Sequence, residues 1–492
     1  MEVCPSGRIS DLKMADRAGL MARIGEMADA IKEEAEKSSS FLVITHFDAD
    51  GLGAGAILCK ALMKLAIPLH IKVAQGLDED ILKEASRSRY DVVIFNEIGS
   101  GYLDLIGGID FQGKRVMIID HHQTAGDLPD GVIHVNPHEY GFDGSKDISG
   151  SGVVFLLSKT LDESNSDLAP LAVVGALGDM QDGGPRRSLT SLNEEIAQFA
   201  ASMGSLEIRE DLILYGRETR PIHRALAQTT SPFLPGLTGE EDKCLDLLAS
   251  AGIRIKEDDK WRVPADLDEE EKQRLISNII KHLSSKGING ELALELVGKI
   301  YTLSKERRWT PLRDGREFAS LLNACGRMER PGLGISICMG DRGSALEEAN
   351  RTLAEYRRSL AQCMGEIYSN PGRVRELREA FVILGEGLID EGMTGAVSSM
   401  LSSSGTFNSK KVIVVSTITK KGEFKISARL SSRSKGLGIN LGSILKKLSA
   451  RYSGQGGGHD VAAGAQIRAE LAEEFLRSLD EEICKAAGAH TS

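Results

Sequence analysis

Four short apolar runs rich in β-branched residues recur through the first 180 residues of this chain. They are FLVIT (41–45), DVVIF (91–95), RVMIID (115–120) and LAVVGALGD (171–179). Each run is nearly continuous rather than alternating, which is typical of parallel strands buried on both faces. Helix-like segments such as 53–65 and 77–88 lie between them. This rhythm predicts an α/β fold with an N-terminal, doubly wound, mainly parallel sheet.

The remaining sequence divides by composition into further segments. We predict a first domain over 1–235, which opens with a polar amphipathic helix at 11–37. Charged, helix-prone sequence predicts a helical insertion over 236–315, and a connecting helical segment follows over 316–380. Strand-like runs, Gly-rich turns and a closing helix at 471–487 predict a smaller C-terminal α/β domain. That domain covers 381–492, with strands at 381–387, 411–419 and 423–430.

The net charge of −11 argues against a protein that coats nucleic acid through its overall charge, so any grip on a polyanion must be local. One stretch, 425–451, has seven basic residues and no acidic ones. A run of this kind is usually a solvated face, and a phosphate site is the alternative. Its basic residues are Lys425, Arg429, Arg433, Lys435, Lys446, Lys447 and Arg451.

The seven cysteines are scattered and include no CxxC pair, which argues against a disulfide framework and a structural zinc cluster. No apolar run approaches the roughly 18 residues that a membrane crossing needs. No secretory signal precedes the predicted helix at 11–37. We therefore expect a protein of the reducing cytoplasm with no membrane partner.

Acids and histidines follow each of the four predicted strands. In an open α/β sheet the ligand crevice lies beyond the carboxyl ends of the strands, so we expect these side chains to converge. Carboxylates with a few imidazoles suit a pair of cations such as Mn²⁺ or Mg²⁺, and two such ions suit phosphodiester hydrolysis. The residues are His46, Asp48 and Asp50, then Glu97, then Asp120, His121 and His122, and finally Asp179 and Asp182.

Each member of this set also has a purely structural explanation. The alternatives are helix N-caps for Asp48 and Asp50, structural roles for His121 and His122, and a simple turn at Glu97. Taken one by one, those explanations do not account for the presence of possible metal ligands at the ends of all four predicted strands. The glycines of GLGAGA (51–56) faintly resemble a dinucleotide fingerprint, but the last glycine is misplaced and the acids would repel a pyrophosphate. Close packing of helix on sheet explains them better.

These segments resemble a known family. In order, THFDADG (45–51), NEIGSG (96–101), IDHHQ (119–123) and GALGDMQD (175–182) resemble the four motifs of the DHH phosphoesterases. GQGGGHDVAAGA (454–465) is similar to the GGGH signature of the C-terminal domain that accompanies them. The segments 135–153, 214–226, 231–239 and 318–328 resemble the archaeal branch of the RecJ-like single-strand exonucleases, which is related to the replisome protein Cdc45.

The resemblance implies a role for each residue of the N-terminal set. His46 and Asp48 would hold one metal ion. The second ion would be held by Asp50, His121 and Asp179, and the acid at position 97 would bridge the two, with Mn²⁺ favoured over Mg²⁺. Two further residues would act in catalysis: Asp120 would orient the ligands and His122 would face the scissile phosphate.

The same resemblance implies a phosphate-binding site in the C-terminal domain. A glycine turn formed by Gly456, Gly457 and Gly458 would let backbone N–H groups approach a phosphate. His459 and the residues Ser427 and Arg429 of KISAR would assist. This site would fall partly within the acid-free basic stretch.

One position departs from the family pattern. Family members usually carry Asp where this chain has Glu97, so the bridging carboxylate is displaced by one methylene. Every other ligand position is intact. The leading hypothesis is a two-metal-dependent exonuclease that digests single-stranded DNA or RNA from an end, in replication or repair. The alternatives are a weakly active or inactive replisome scaffold that binds the GINS complex and the MCM helicase, and a phosphodiesterase for short oligonucleotides or cyclic dinucleotides.

Overall fold

The computed structural model describes residues 15–229, 232–403, 407, 410–431, 434 and 438–488. Its helices are α1 (Arg17–Glu36), α2 (Ala49–Lys64), α3 (Glu79–Arg87), α4 (Leu103–Gly107), α5 (Gly150–Leu161), α6 (Ala169–Gly178), α7 (Ser191–Ser202), α8 (Ile222–Gln228), α9 (Glu241–Ser250), α10 (Glu269–Ser285), α11 (Gly315–Arg327), α12 (Pro331–Met339), α13 (Ser344–Ser369), α14 (Thr394–Ser403), α15 (Leu441–Arg451) and α16 (Ala472–Gly488). Its strands are β1 (Phe41–His46), β2 (Leu69–Ala74), β3 (Val92–Asn96), β4 (Arg115–Ile119), β5 (Ile133–Val135), β6 (Leu206–Leu212), β7 (Lys256–Glu257), β8 (Lys260–Trp261), β9 (Val297–Leu303), β10 (Val374–Glu376), β11 (Ala380–Leu384), β12 (Val412–Ile418), β13 (Glu423–Arg429), β14 (Gln455–Gly458) and β15 (Ala462–Arg468).

The chain divides into two structural units. The first contains the described residues up to Glu210, together with Gly298–Gly326 and Arg330–Glu347. The second contains Asp211–Val297, Arg327–Glu329 and the described residues from Glu348 onward. Each unit is therefore assembled from segments that are distant in the sequence.

The first unit is built on a five-stranded sheet in the order β2-β1-β3-β4-β5, in which every neighbouring pair is parallel. Helices α3 and α4 pack on one face, where Leu82 and Ile106 join Ile44 and Phe95 in one apolar core. Helix α2 contacts β1, and α5 and α6 pack against α2. The predicted doubly wound, parallel α/β sheet is confirmed.

The prediction of a strand at 171–179 is wrong. Residues 171–178 of the segment lie within α6, which is buried from Ala169 to Leu177, and Asp179 is the C-cap of the helix. An apolar run of this length fits a buried helix as well as a buried strand, so periodicity could not separate them. Pro170 in the first turn is compatible with a helix start. Gly175 lets α6 approach α5 closely, because a Cβ there would lie 2.1 Å from Ser151 Oγ.

The other predicted strands of the first unit are present as β1, β3 and β4, while β2 and β5 were not predicted. Strand β2 lies at the sheet edge and is only partly buried, so it lacks the continuous apolar run of its neighbours. Strand β5 has only three residues. The helix predicted at 11–37 corresponds to α1, which begins at Arg17, and residues 11–14 of that prediction lie outside the described residues.

The second unit contains a six-stranded sheet in the order β10-β11-β12-β13-β15-β14. Only β11 and β12 are parallel, and the other pairs are antiparallel. The core on one face joins Ile426 and Ala428 of β13 to Leu445 of α15 and Phe475 of α16. This confirms the predicted C-terminal α/β architecture. Helices α9 and α10 occupy the predicted helical insertion, and they share a second apolar core with α8.

No helix among the described residues has both the length and the apolar character that a membrane crossing requires.

The tight packing at Gly175 gives a test of the fold. We expect Gly175→Ala to lower the free energy of unfolding by about 1–3 kcal/mol, because the new methyl group would overlap Ser151 and Asp50. Gly25→Ala in α1 is the matched control, since a Cβ there meets no atom within 4 Å. The control should be neutral or stabilising by up to about 1 kcal/mol. Chemical denaturation followed by circular dichroism measures both, and equal midpoints would contradict the packing.

Candidate metal centre

The order of the parallel strands creates a crevice between β1 and β3. From β1 the chain passes to β2 on one side, and from β3 it passes to β4 on the other, so the topology switches between these neighbours. Ligands bind at such switch points, beyond the carboxyl ends of the strands. His46 is the last residue of β1 and Glu97 directly follows β3. Asp120 directly follows β4.

Seven acids and histidines gather at this edge in three overlapping groups. Within each group the possible ligand atoms lie within 4.8 Å of one another. All six residues predicted as metal ligands are among them, with His122 in addition. The groups are His46, Asp48 and Glu97; Asp50, His121 and Asp179; and Glu97, His121 and His122.

Glu97 connects the groups through its two carboxylate oxygens. Its Oε2 lies 3.1 Å from Nδ1 of His46. Its Oε1 lies 3.3 Å from Nε2 of His121 and 3.8 Å from Nε2 of His122. One carboxylate therefore faces histidines delivered by two different strands, which is the arrangement expected of a bridging ligand.

The backbone at Glu97 and its glycine neighbours make room for this side chain. Glu97 has a φ of +57°, which is uncommon for a residue with a Cβ and is typical of strained functional positions. A Cβ at Gly150 would lie 2.3 Å from Cγ of Glu97, and a Cβ at Gly51 would lie 2.7 Å from its Oε2. Both glycines are thus required by the space that Glu97 occupies.

Asp50 is held by the first turn of α5. Its carboxylate accepts hydrogen bonds from the backbone N–H groups of Gly150, at 2.7 Å, and Ser151, at 2.9 Å. The hydroxyl of Ser151 also donates to the carbonyl oxygen of Asp50. Burial, together with the charges of Glu97 and Asp179, raises the pKa of Asp50 to about 7 against the attraction of His121. The carboxylate is therefore fixed in position but poorly compensated by the protein alone.

Asp120 orients the two histidines that follow it. Its Oδ1 accepts hydrogen bonds from the backbone N–H groups of His121 and His122, and it lies 2.7 Å from Nδ1 of His122. Its Oδ2 accepts from the backbone N–H of Ser100. Burial opposes its ionisation, but the charges and hydrogen bonds of the histidines outweigh burial and hold the pKa of Asp120 well below its usual range.

His121 is also oriented from its other side. Its Nδ1 lies 2.7 Å from the carbonyl oxygen of Gly144, and since that oxygen can only accept, Nδ1 carries the proton. The Nε2 atom then faces Asp50, at 3.6 Å, and Glu97. A histidine held this way presents a lone pair to the cluster.

Asp179 reaches the cluster from the C-terminal end of α6, where it caps the helix. Its Oδ2 accepts a hydrogen bond from Gln181, which also donates to the carbonyl oxygen of Gly144. Asn193 of α7 in turn donates to Gln181. Burial raises the pKa of Asp179. Gln181 and Asn193 were not predicted from the sequence, although GALGDMQD carries the first of them.

His46 and Asp48 stabilise each other's charged forms. Burial disfavours the charge on His46, but Asp48 and Glu97 more than offset it and raise the pKa of His46 well above its usual value. Burial likewise opposes ionisation of Asp48, and the His46 charge and the Gly51 N–H still hold the pKa of Asp48 below its usual range. Asp48 also caps α2 through that N–H, so the cap and the ligand explanations both apply.

The donor set fits divalent cations. Four carboxylates and three imidazoles face one another, with no thiolate among the groups that the described residues form. Nδ1 of His46 and Oε2 of Glu97 are both buried and lie 3.1 Å apart, but within the described residues neither atom makes a hydrogen bond of good geometry. Bound cations would satisfy these atoms and compensate the carboxylates, which are otherwise costly to bury together.

Asp182 does not join the cluster. Its carboxylate binds Arg187 and Arg316, at 2.9 and 2.7 Å, in a buried ion-pair network. The sequence places it three residues after Asp179, but the chain turns at Met180, which has a φ of +58°. The placement of Asp182 at a strand end with the ligands is therefore wrong.

Three of the residues predicted to bind phosphate in the C-terminal domain, Ser427, Arg429 and Gly457, lie on one face of the second sheet. Ser427 and Arg429 point to the same side of β13, opposite the core residues Ile426 and Ala428. Ser427 lies across from Gly464 of β15, and Gly464 lies across from Gly457 of β14. These three residues form one row across three strands.

The predicted glycine turn is wrong in one respect. Gly456–Gly458 belong to the edge strand β14, and the turn follows at His459, whose N–H donates to the carbonyl oxygen of Ala462. Three consecutive glycines in an edge strand carry no apolar pattern, so the sequence favoured a turn. The glycines have a packing reason: a Cβ at Gly456 would lie 2.7 Å from Ser449 Oγ of α15.

The basic stretch does not form one surface. Lys425 and Arg429 lie on the outer face of β13, whereas Lys446, Lys447 and Arg451 lie on α15, which packs on the opposite face. Arg433 and Lys435 lie outside the described residues. Lys425 is half-buried, and burial lowers its pKa against the attraction of Glu391. Helix α14 packs over this face, with Ser398 hydrogen-bonded to Ser427.

Comparisons with known families agree with these features. A model described as the DHH family, N-terminal domain, matches residues 40–176. A DHH-CID domain model matches residues 214–297, and a DHHA1 domain model matches residues 381–485. The first match contains most of the candidate metal centre, and the third contains the strands that carry the residues predicted to bind phosphate.

Two relatives and two solved structures are similar to this chain. An uncharacterised protein of Methanocaldococcus jannaschii is 29% identical over 94% of this chain and 98% of its own length. The single-stranded-DNA-specific exonuclease RecJ of Bacillus subtilis is 27% identical over 32% of this chain, but over only 21% of its own length. Cdc45 of Entamoeba histolytica has a TM-score of 0.62 at 11% identity and covers 94% of this chain and 98% of its own. RecJ of Thermus thermophilus in complex with Mn²⁺ has a TM-score of 0.57 at 18% identity, with coverages of 94% and 55%.

The geometry predicts which aspartate supports metal binding. We expect Asp179→Ala to weaken Mn²⁺ binding at least tenfold in isothermal titration, because it removes one of three possible ligands of its group. Asp182→Asn is the matched control. It should lower the midpoint of thermal unfolding by loosening Arg187 and Arg316, yet keep the Mn²⁺ affinity. Equal metal affinity in both variants would contradict the assignment of Asp179.

Proposed function

Because this chain belongs to the DHH phosphoesterase family and carries its DHH, DHH-CID and DHHA1 domains, we propose that it is a metal-dependent exonuclease that hydrolyses single-stranded nucleic acid from an end. The observation that carries the proposal is the position of Glu97 between His46 on one side and His121 and His122 on the other. Similarity to a single-stranded-DNA-specific exonuclease supports the choice of substrate.

We propose two divalent ions as cofactors, with Mn²⁺ preferred to Mg²⁺. His46, Asp48 and Glu97 would hold one ion, and Asp50, His121 and Asp179 the other, with Glu97 shared. Imidazole ligands favour Mn²⁺, since Mg²⁺ prefers an all-oxygen shell with several waters. Bound there, the ions would supply Lewis acidity toward a phosphodiester.

The protein's own contribution centres on Asp120 and His122. Asp120 fixes the His122 ring through Nδ1, so Nε2 is free to face the cluster. The His122 side chain is 40% exposed, unlike the buried His121 ring, so a substrate can reach it. Burial opposes the charged ring, but Asp120 outweighs burial and raises the pKa of His122. His122 would therefore donate a hydrogen bond to the scissile phosphate.

The C-terminal sheet would grip the strand through its phosphates. Ser427 and Arg429 carry a hydroxyl and a guanidinium on the face of β13 over which α14 packs, and Ser427 already shares a hydrogen bond with Ser398 there. The adjacent strands β15 and β14 contribute glycine backbone on the same row. Contacts to phosphate and sugar fix the position of a strand without reading its sequence. We therefore expect little base preference in this grip.

A second candidate function is a replisome scaffold with slow or absent hydrolysis, whose partners would be the GINS complex and the MCM helicase. The likeness to Cdc45 in fold over nearly the whole of both chains favours it, as does the Glu at position 97. The retention of every other ligand position argues for catalysis. A third candidate is a phosphodiesterase for short oligonucleotides or cyclic dinucleotides, which substrate length distinguishes.

Hydrolysis of end-labelled strands tests the proposal. We expect the protein with Mn²⁺ to shorten single-stranded DNA or RNA of twenty nucleotides progressively from one end, and to act more slowly on dinucleotides. Asp50→Ala should reduce the rate at least a hundredfold, because it removes a ligand and leaves two backbone N–H groups of α5 unpaired. Chelation of metal ions should abolish cleavage.

The control is Asp182→Asn, which should retain the rate at a temperature where it is folded. Preference for dinucleotides would favour the third candidate. A folded wild-type protein that binds Mn²⁺ but leaves all strands intact would refute the nuclease and leave the scaffold.

The C-terminal grip has its own test. We expect Arg429→Ala to weaken binding of a twenty-nucleotide strand about tenfold or more, since hydrogen bonds to charged groups contribute about 1.5–3 kcal/mol. Mn²⁺ affinity should not change. Lys446→Ala is the matched control, because it removes one charge from the same basic stretch on α15, away from that face. Equal losses in the two variants, measured by fluorescence anisotropy, would indicate only nonspecific charge attraction.

A further inference from the structure

We propose that the exposed loop Lys305–Trp309, here called the basic tryptophan loop, is a further binding site for single-stranded nucleic acid, in which a base stacks on Trp309 and the basic side chains contact phosphates. This rests on the proposed action on single strands. It adds a contact that neither the metal centre nor the C-terminal sheet supplies. The loop lies between β9 and α11 in the first unit.

The side chain of Trp309 is exposed to solvent rather than packed in a core. The chain has only two tryptophans, and Trp309 is 61% exposed. Its φ of +61° is rare for a bulky residue and carries a conformational cost. Neither exposure nor strain benefits the folded state, so a ligand that uses the indole accounts for both.

The loop is positively charged although the chain is acidic overall. Lys305, Arg307 and Arg308 are all exposed. The single acid of the loop, Glu306, is bound by Arg342 through two hydrogen bonds, at 3.0 and 2.5 Å. Its charge is therefore compensated by Arg342, and the three exposed basic side chains give the loop a net positive charge. A polyanion fits this surface, whereas an apolar partner would meet one ring and three cations.

The loop is also held in shape before any ligand binds. Arg313 donates hydrogen bonds to the carbonyl oxygens of Ser304 and Glu306. The hydroxyl of Thr310 donates to the carbonyl oxygen of Arg307. Preorganisation of this kind reduces the entropy that binding would otherwise cost.

Arg308 completes a stacking platform. Its guanidinium lies over the indole of Trp309, at 5.0 Å from the ring centroid. An arginine on one side of an indole polarises the ring and leaves the opposite side for a base. Stacking of bases on aromatic side chains contributes about 1–3 kcal/mol per base and tolerates any sequence.

The loop is within reach of a strand bound at the metal centre. Helix α11 begins beside Leu177, two residues before Asp179, because a Cβ at Gly315 would lie 2.6 Å from the Leu177 side chain. Trp309 precedes Gly315 by six residues and Leu177 precedes Asp179 by two, so with the contact between Gly315 and Leu177 the route from Trp309 to Asp179 spans at most about 36 Å. At 3.4 Å per phosphate this is about eleven nucleotides. A twenty-nucleotide strand can therefore reach both sites.

Tryptophan fluorescence tests the loop directly. In Trp261→Phe the remaining tryptophan is Trp309, and binding is measured with oligothymidylates of twenty and two nucleotides in the presence of a chelator, so that no hydrolysis is needed. We expect the longer strand to quench the emission at concentrations where the dinucleotide does not. Absence of quenching at strand concentrations that saturate binding by anisotropy would overturn the proposal.

Substitutions separate stacking from charge. Trp309→Ala should weaken binding of the twenty-nucleotide strand about tenfold, while Trp309→Phe restores most of it. Trp261→Ala is the matched control, since Trp261 is the other exposed tryptophan and also lies beside a cation, Lys256. Arg307→Ala should reduce the dependence of affinity on salt by about one ion.

Each result of these experiments either supports the proposed binding site or contradicts it. Equal strand affinities for folded Trp309→Ala and Trp261→Ala would overturn the proposal and leave the loop as a surface for a protein partner. Loss of affinity in Trp309→Ala supports it, even if the wild type proves inactive as a nuclease, because binding is measured without turnover. If strands are cleaved normally but the loop variants behave as wild type, only this inference fails.

Discussion

Mutual repulsion among closely grouped carboxylates, of which Asp50 and Glu97 are buried, is the constraint on which the rest of the first unit depends. Asp48, Asp50, Glu97 and Asp179 belong to overlapping groups whose possible ligand atoms lie within 4.8 Å of one another, and burial alone would drive such groups apart or neutralise them. The fold opposes this with imidazoles, with the first turn of α5 and with Asp48 acting as a helix cap. These contacts leave part of the negative charge of the carboxylates uncompensated, and bound divalent ions would neutralise that charge.

The glycines around the cluster follow from the same constraint. Gly51, Gly150 and Gly175 come from three helices, and a Cβ on any of them would lie within 2.7 Å of an atom of Asp50, Glu97 or Ser151. The GLGAGA run, which resembles a dinucleotide fingerprint in sequence, thus provides space for the Glu97 side chain at Gly51. Its glycines allow close packing of helix on sheet. The acids beside them already argued against a dinucleotide site, because they would repel a pyrophosphate.

The sequence predicted those elements whose signal lies in a short stretch of residues, and it did not predict those whose structure depends on packing between distant segments. Runs such as FLVIT and DVVIF are long enough and β-branched enough to predict β1 and β3, and the residues after them mark the edge of the sheet. Helix α6 is buried all round, so its apolar run has no period to read. The positions of Gln181 and Asn193 depend on a turn after α6 and on the approach of α7, neither of which has a sequence signal. Likewise, the two faces of the basic stretch separate only once β13 and α15 pack on each other.

The Glu at position 97 is best understood from its backbone. A left-handed φ redirects the side chain at its root, and the space provided by Gly51 and Gly150 accepts the additional methylene. The carboxylate consequently still lies between His46 and His121, at distances of 3.1 and 3.3 Å. A lengthened side chain in an unaltered pocket would have displaced one of these neighbours, because interiors are too densely packed to absorb a methylene without adjustment. The departure from the family pattern is therefore accommodated by the structure, and the Glu at position 97 does not by itself disrupt the grouping of the other ligands.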